Sequence, residues 1–218
     1  MNFIQAILMG IVQGLSEFLP ISSSAHLVFT SNFYKVFANV PIHDQTSQEI
    51  FFDIMVHLGT LIAVIIFFRK DIIKIVKALL HALNSKDWSS SDAKMGLFII
   101  IGTVITVLIA YPINKFAEFL VFRPEIVGGL LMLTGLVLFY SEYMSKHVPA
   151  KKETVDFKTS VFIGIAQGLA TMPGISRSGT TITACLLCGF DKKFAVKYSF
   201  IMSIPAVLGA AVLELKDF

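Results

Sequence analysis

The chain has 218 residues, of which 55% are hydrophobic and 15% charged; its formal net charge is +3 and its mean hydropathy +0.76. Soluble domains carry about 25% charged residues, so this composition excludes an ordinary soluble globule and describes an integral membrane protein. The small positive balance is spread over loops, which sets orientation and excludes a nucleic-acid-binding role.

Residues 3–30 are two short apolar pieces broken by Gly, Pro and Ser, a pattern that predicts a re-entrant helical hairpin rather than a full span. The segment lacks a basic leading region and contains Glu17 and Pro20, so it does not read as a cleaved signal peptide. Residues 51–68 are long enough to cross a bilayer core. The stretch that follows sets Ile72, Ile75, Val76, Leu79, Leu80 and Leu83 against Lys70, Lys74, Lys77 and His81. Such a cation-edged amphipathic helix is expected to lie on the cytoplasmic leaflet, with Trp88 as an interfacial anchor. Residues 95–113 and 126–141 predict two more spans. Residues 159–190 repeat the broken pattern of 3–30, and residues 198–215 give a further span that Pro205 should kink.

Loop charges orient these segments. Residues 69–94 hold Arg69, Lys70, Lys74, Lys77, Lys86 and Lys94, and residues 142–158 hold Lys146, Lys151, Lys152 and Lys158. Residues 31–50 hold Lys35 alone, and 114–124 hold Lys115 and Arg123. The positive-inside rule places the first two loops in the cytoplasm and the other two outside. The fold predicted is therefore all-α and integral to the membrane: a polytopic helical bundle with two re-entrant hairpins related by an inverted repeat. One repeat would occupy 1–113 and a partial second repeat 159–218, joined through the span at 126–141.

The hairpins share a motif. Gly10-Ile-Val-Gln13-Gly14-Leu15 leads into Ile21-Ser22-Ser23-Ser24, and Gly164-Ile-Ala-Gln167-Gly168-Leu169 leads into Ile175-Ser176-Arg177-Ser178. The Gly-x-x-x-Gly pairs in both predict close helix contacts. Ionisable side chains in apolar segments mark functional pockets, which singles out Glu17, His26 and Arg177. Gln13 and Glu17, four apart, share a helix face. The serines after Pro20, and those after Pro173-Gly174, fit new helix starts, where hydroxyls and free N–H groups either bind anions or simply cap. A buried arginine needs an anion: a phosphate, a carboxylate, or Glu17 itself in a salt bridge between the hairpins. His26 lies three residues after Ser23 and four after Ser22, so imidazole and hydroxyl can share a face as base and nucleophile, or the ring can serve only as a hydrogen-bonding group. Asp53 and His57 could suggest metal ligands but read better as the polar mouth of a span; Glu125 and Glu142 sit at span ends. Cys185 and Cys188 lack the βαβ context of a redox pair and read as packing residues. No Gly-x-x-x-x-Gly-Lys-Ser/Thr loop is present, so ATP hydrolysis has no support. After Arg177 no histidine follows at the distance that type-2 phosphatidic acid phosphatases require.

Gln13-Gly-Leu-Ser-Glu17-Phe-Leu-Pro20-Ile-Ser-Ser-Ser-Ala-His26 resembles the first motif of bacterial undecaprenyl-diphosphate phosphatases, the bacitracin-resistance family. Pro173-Gly-Ile-Ser-Arg177-Ser-Gly-Thr180 is similar to its second motif, and Phe52-Asp53 through His57-Leu-Gly-Thr60 to the segment between. The resemblance covers nearly the whole chain. It implies a metal-dependent enzyme that removes the terminal phosphate of undecaprenyl diphosphate, in the bacterial inner membrane, from an outward-facing site. Carried over, Glu17 matches the essential glutamate, Gln13 a Glu/Gln position, Ser23 the nucleophile, His26 the motif histidine and Arg177 the phosphate-binding arginine. Ser22, Ser24, Ser176, Ser178, Gly179 and Thr180 would grip the diphosphate of the polyprenyl lipid, and Glu17 with Gln13 would hold Mg²⁺ or Ca²⁺. Two departures stand out: Ala25 occupies a position where glycine is frequent, and the family continues with more membrane-spanning sequence beyond the equivalent of Phe218. The second repeat is thus expected to be truncated, its missing wall supplied by another subunit of a homo-oligomer or left out. A flippase for polyprenyl phosphates and an inactive truncated homologue are the competing readings.

Overall fold

A computed structural model describes residues 3–39, 47–147, 152 and 154–216. Segments 40–46 and 148–151, in two of the loops whose charges set the orientation, lie outside the described residues. Among the described residues the secondary structure is all helical: α1 (Phe3–Ser16), α2 (Ser23–Phe37), α3 (Ser47–Ser85), α4 (Ser91–Val121), α5 (Pro124–His147), α6 (Phe157–Leu169), α7 (Arg177–Leu187) and α8 (Lys192–Lys216). Helices α3, α4, α5 and α8 are long and apolar enough to cross a membrane. Their outward side chains include Ile62, Ile66, Phe67, Leu108, Met132 and Phe139, all largely exposed, as lipid-facing positions are. The chain is a multi-pass membrane protein. Pro112 and Pro205 lie inside α4 and α8, each of which runs as one helix through its proline.

The amphipathic stretch after residue 69 does not lie flat as a separate helix. It is the second half of α3, whose 39 residues span about 58 Å at the helical rise, nearly twice a bilayer core. Only part of its apolar side meets protein: Ile75 and Ala82 are buried and a Cβ at Gly96 of α4 would meet Ile75 at 3.0 Å and Leu79 at 3.3 Å, whereas Val76, Leu80 and Leu83 are exposed. Lys197 of α8 bonds Asp71 at 3.3 Å, fixing the same stretch from the other side.

The four short helices form two pairs, α1 with α2 and α6 with α7. Asp156 caps α6 in a capping box with Thr159. The Lys152 ammonium and the Thr159 N–H hold its carboxyl down to about 2, so this cap is ionised at neutral pH. Along α6, small residues let the backbone sit directly on α4. A Cβ at Gly164 would fall 2.6 Å from the Gly102 carbonyl oxygen, and one at Gly168 would fall 2.6 Å from Ile109 Cβ. A polar seam fills the same contact. Ser160 Oγ donates to the Phe98 carbonyl at 2.6 Å, Thr106 Oγ1 to the Gly164 carbonyl at 3.2 Å, and Gln167 Nε2 to Thr106 Oγ1 at 3.1 Å.

The first glycine pair behaves differently. A Cβ at Gly10 or Gly14 would meet nothing within 4 Å, so the close contact expected there is not made among the described residues. The sequence pattern is the same, but α6 has α4 across its glycine face and α1 has no described helix at that position. We therefore expect Gly164→Ala to lower the thermal unfolding midpoint in detergent by about 2–10 °C, for a loss of about 1–3 kcal/mol from overpacking. Gly10→Ala and Gly14→Ala should leave the midpoint unchanged or raise it, since alanine is the better helix former in open space.

Candidate active site

The turns of the two hairpins meet. Ser178 Oγ donates to the Leu19 carbonyl at 3.5 Å, and a Cβ at Gly179 would lie 3.2 Å from the Pro20 carbonyl oxygen. Each turn is fixed locally. In the first, Ser22 takes a left-handed backbone (φ 66°) and its Oγ accepts from the Ala25 N–H as the cap of α2. That conformation costs a non-glycine residue about 1–3 kcal/mol and is typical of functional turns. In the second, Gly174 has φ +99°, where a side chain would strike the Val127 carbonyl of α5. Thr134 of α5 staples this turn: its hydroxyl donates to the Gly174 carbonyl at 2.9 Å and accepts from the Ser176 N–H at 3.1 Å. Ser176 Oγ then caps α7 by accepting from the Gly179 N–H at 3.1 Å.

Between the turns lies the Glu17 carboxylate, 8% exposed. Arg177 Nη2 donates to its Oε1. Its Oε2 accepts from Gln13 Nε2 at 3.0 Å and from Ser23 Oγ at 2.5 Å. Four of the residues singled out by the sequence thus form one hydrogen-bonded cluster, joined across 160 positions of chain. The salt bridge between the hairpins is made.

Other expected residues sit close by in different roles. Ser22 and Ser24 hydroxyls lie 3.2 Å apart, and those of Ser176 and Ser178 3.4 Å apart, at the starts of α2 and α7. Thr180 is half-buried in the first turn of α7. The expected pairing of His26 with a serine hydroxyl is not made. His26 Nδ1 donates to the Ser22 carbonyl at 2.8 Å, and Ser23 turns to Glu17 instead. The carboxylate is the stronger acceptor, so the Ser23 hydroxyl is hydrogen-bonded to Glu17 and not to His26.

The sequence undervalued His57. Placed with Asp53 as the polar mouth of a span, it instead lines a small cavity together with Glu17, Arg177, Thr60, Phe200 and Ser203. The signal lay in the helical spacing of Asp53 and His57, which was ambiguous without a partner element.

The residues present fit a hard divalent cation in one way. Among the described residues no group of three His, Cys, Asp or Glu could hold a metal. Gln13 Oε1, however, is buried without a hydrogen-bond partner beside the Glu17 carboxylate. Mg²⁺ commonly binds through one or two protein oxygens completed by substrate phosphate and water.

The family model for Bacitracin resistance protein BacA matches residues 6–218. The chain belongs to that family. Members it resembles include the undecaprenyl-diphosphatase of Carboxydothermus hydrogenoformans, 42% identical over 218 residues, covering 100% of this chain and 75% of that protein. The undecaprenyl-diphosphatase of Methanobrevibacter smithii is 41% identical over 226 residues, covering 100% of this chain and 78% of that protein. That of Korarchaeum cryptofilum is 36% identical over 219 residues, covering 99% and 78%. In this BacA-family site, removing one member of the central ion pair leaves a buried charge alone. Arg177→Ala is expected to destabilise by about 3–5 kcal/mol, and adding Glu17→Gln should recover about half or more. Thermal unfolding of the two single variants and the double variant checks this coupling.

Proposed function

We propose that this chain hydrolyses undecaprenyl diphosphate to undecaprenyl phosphate and inorganic phosphate, returning the lipid carrier to cell-wall synthesis. The observation that carries the reading is Ser23 Oγ donating to Glu17 at 2.5 Å while Arg177, from the other hairpin, holds the same carboxylate. Nucleophile, base and anion-binding cation are contiguous in one buried cluster, and family membership supplies the substrate class.

The chemistry follows from these groups. Arg177, with hydroxyl and N–H donors at the starts of α2 and α7, binds the diphosphate and stabilises charge that builds on the transferring phosphoryl group. Glu17 takes the Ser23 proton as Oγ attacks the terminal phosphorus, and undecaprenyl phosphate leaves. Gln13 fixes the carboxylate on its second oxygen. Glu17 and Gln13 Oε1 would hold Mg²⁺ or Ca²⁺, which when bound neutralises phosphate charge. His26 is held by its Nδ1 on the Ser22 carbonyl, at the start of α2. Loop charges support only how the spans are oriented; the bacterial plasma-membrane location and the outward-opening site rest on the resemblance to the family.

Phosphate release from undecaprenyl diphosphate in detergent micelles tests this. Ser23→Ala and Glu17→Gln should each slow release by at least about 10²-fold, and Arg177→Lys by about 10²–10³-fold through lost donor geometry. A flippase would tolerate Ser23→Ala, so normal lipid translocation without hydrolysis by that variant would favour transport. Chelation should stop release, Mg²⁺ or Ca²⁺ should restore it, and Gln13→Ala should raise the cation concentration needed by about tenfold.

A further inference from the structure

A serine route needs a second base. When the first half of the reaction ends, Glu17 carries the proton taken from Ser23 and cannot accept another from the water that must attack next. His26 does not supply the base, because it does not line the cavity that Glu17 shares with Arg177. His57 does. Its Nδ1 lies 2.8 Å from the Asp53 carbonyl oxygen, an acceptor only, so Nδ1 carries the proton and Nε2 the lone pair. Among the described residues Nε2 has no hydrogen-bond partner, although His57 lines the cavity shared by Glu17, Arg177, Thr60, Phe200 and Ser203.

The cavity suits one water. Water centres have about 10 Å³ available there, near the least that holds a single molecule. The lining offers a donor, the Arg177 guanidinium, and oxygen acceptors on Thr60 and Ser203, whose own protons are committed to the carbonyls of His57 and Phe200. A water with two to four polar partners is the expected occupant. The charged neighbours of His57 are Glu17, Arg177, Asp53 and Glu214.

From this geometry we infer that His57 orients and deprotonates the hydrolytic water, a role that rests on the serine-phosphatase reading. The water oxygen bonds to phosphorus as the bond from phosphorus to Ser23 Oγ breaks. The water's proton passes to His57 Nε2, and the proton held on Glu17 returns to Oγ. Inorganic phosphate departs, and the imidazolium releases its proton to solvent.

Single-turnover reactions with undecaprenyl diphosphate labelled in its terminal phosphate test the assignment. Wild-type protein, His57→Ala and His57→Gln are compared, with and without added imidazole. We expect both variants to form undecaprenyl phosphate at near the wild-type rate while the label stays covalently on Ser23 and its release slows about 10²-fold. Imidazole should speed release at least about tenfold for His57→Ala, whose cavity is open, and not for His57→Gln. Wild-type release by either variant overturns the assignment. So does loss of both steps without imidazole rescue, which marks a structural role. Wild-type protein that releases no phosphate instead sinks the phosphatase reading, and the His57 role with it.

Discussion

The structure depends on keeping one carboxylate charged where water is scarce. An isolated ion in such a place costs several kcal/mol even after relaxation, so Glu17 is stable there only with a cation and hydrogen-bond donors around it. Arg177, Gln13 and Ser23 supply them. The requirement explains why two hairpins distant in sequence must meet tip to tip. It also explains why each tip is pinned by its own device, the strained cap at Ser22 in one and the Thr134 staple at Gly174 in the other.

The same pair carries the proposed chemistry. A guanidinium neutralised by Glu17 in the resting protein can exchange that partner for phosphate, and the carboxylate it releases becomes a better base for Ser23. Binding and activation are then one event. The longer helices serve this junction by placement: α4 seats α6 through Gly102 and Thr106, α5 holds the second turn, and α3 with α8 walls the cavity behind Glu17.

Much of this was legible in the chain. Charges at Glu17 and Arg177 inside apolar segments, next to Pro, Gly and Ser, announced a polar junction, and the span pattern was plain from hydropathy. What failed depended on neighbours. Gly10/Gly14 and Gly164/Gly168 read alike, yet among the described residues only the second pair has a helix against it. Gln13 and Gln167 occupy matching motif positions, but one bonds Glu17 and the other Thr106. The amphipathic face after residue 69 looked like a membrane-surface helix because periodicity reports an apolar stripe without saying whether lipid or α4 covers it. His26 looked like the serine's base because spacing along one helix is visible in sequence, whereas the approach of Glu17 from another element is not.

Glu17 and substrate phosphate are proposed to compete for Arg177. The most direct measurement is the affinity of a non-hydrolysable methylene-diphosphonate analogue of the lipid for wild type, Glu17→Gln and Arg177→Ala, in chelator. Glu17→Gln is expected to bind the analogue about tenfold or more tightly than wild type while Arg177→Ala loses binding, since the neutral amide frees the guanidinium. Equal weakening by both substitutions would contradict it, because Glu17 would then help hold the ligand instead of guarding its binding group.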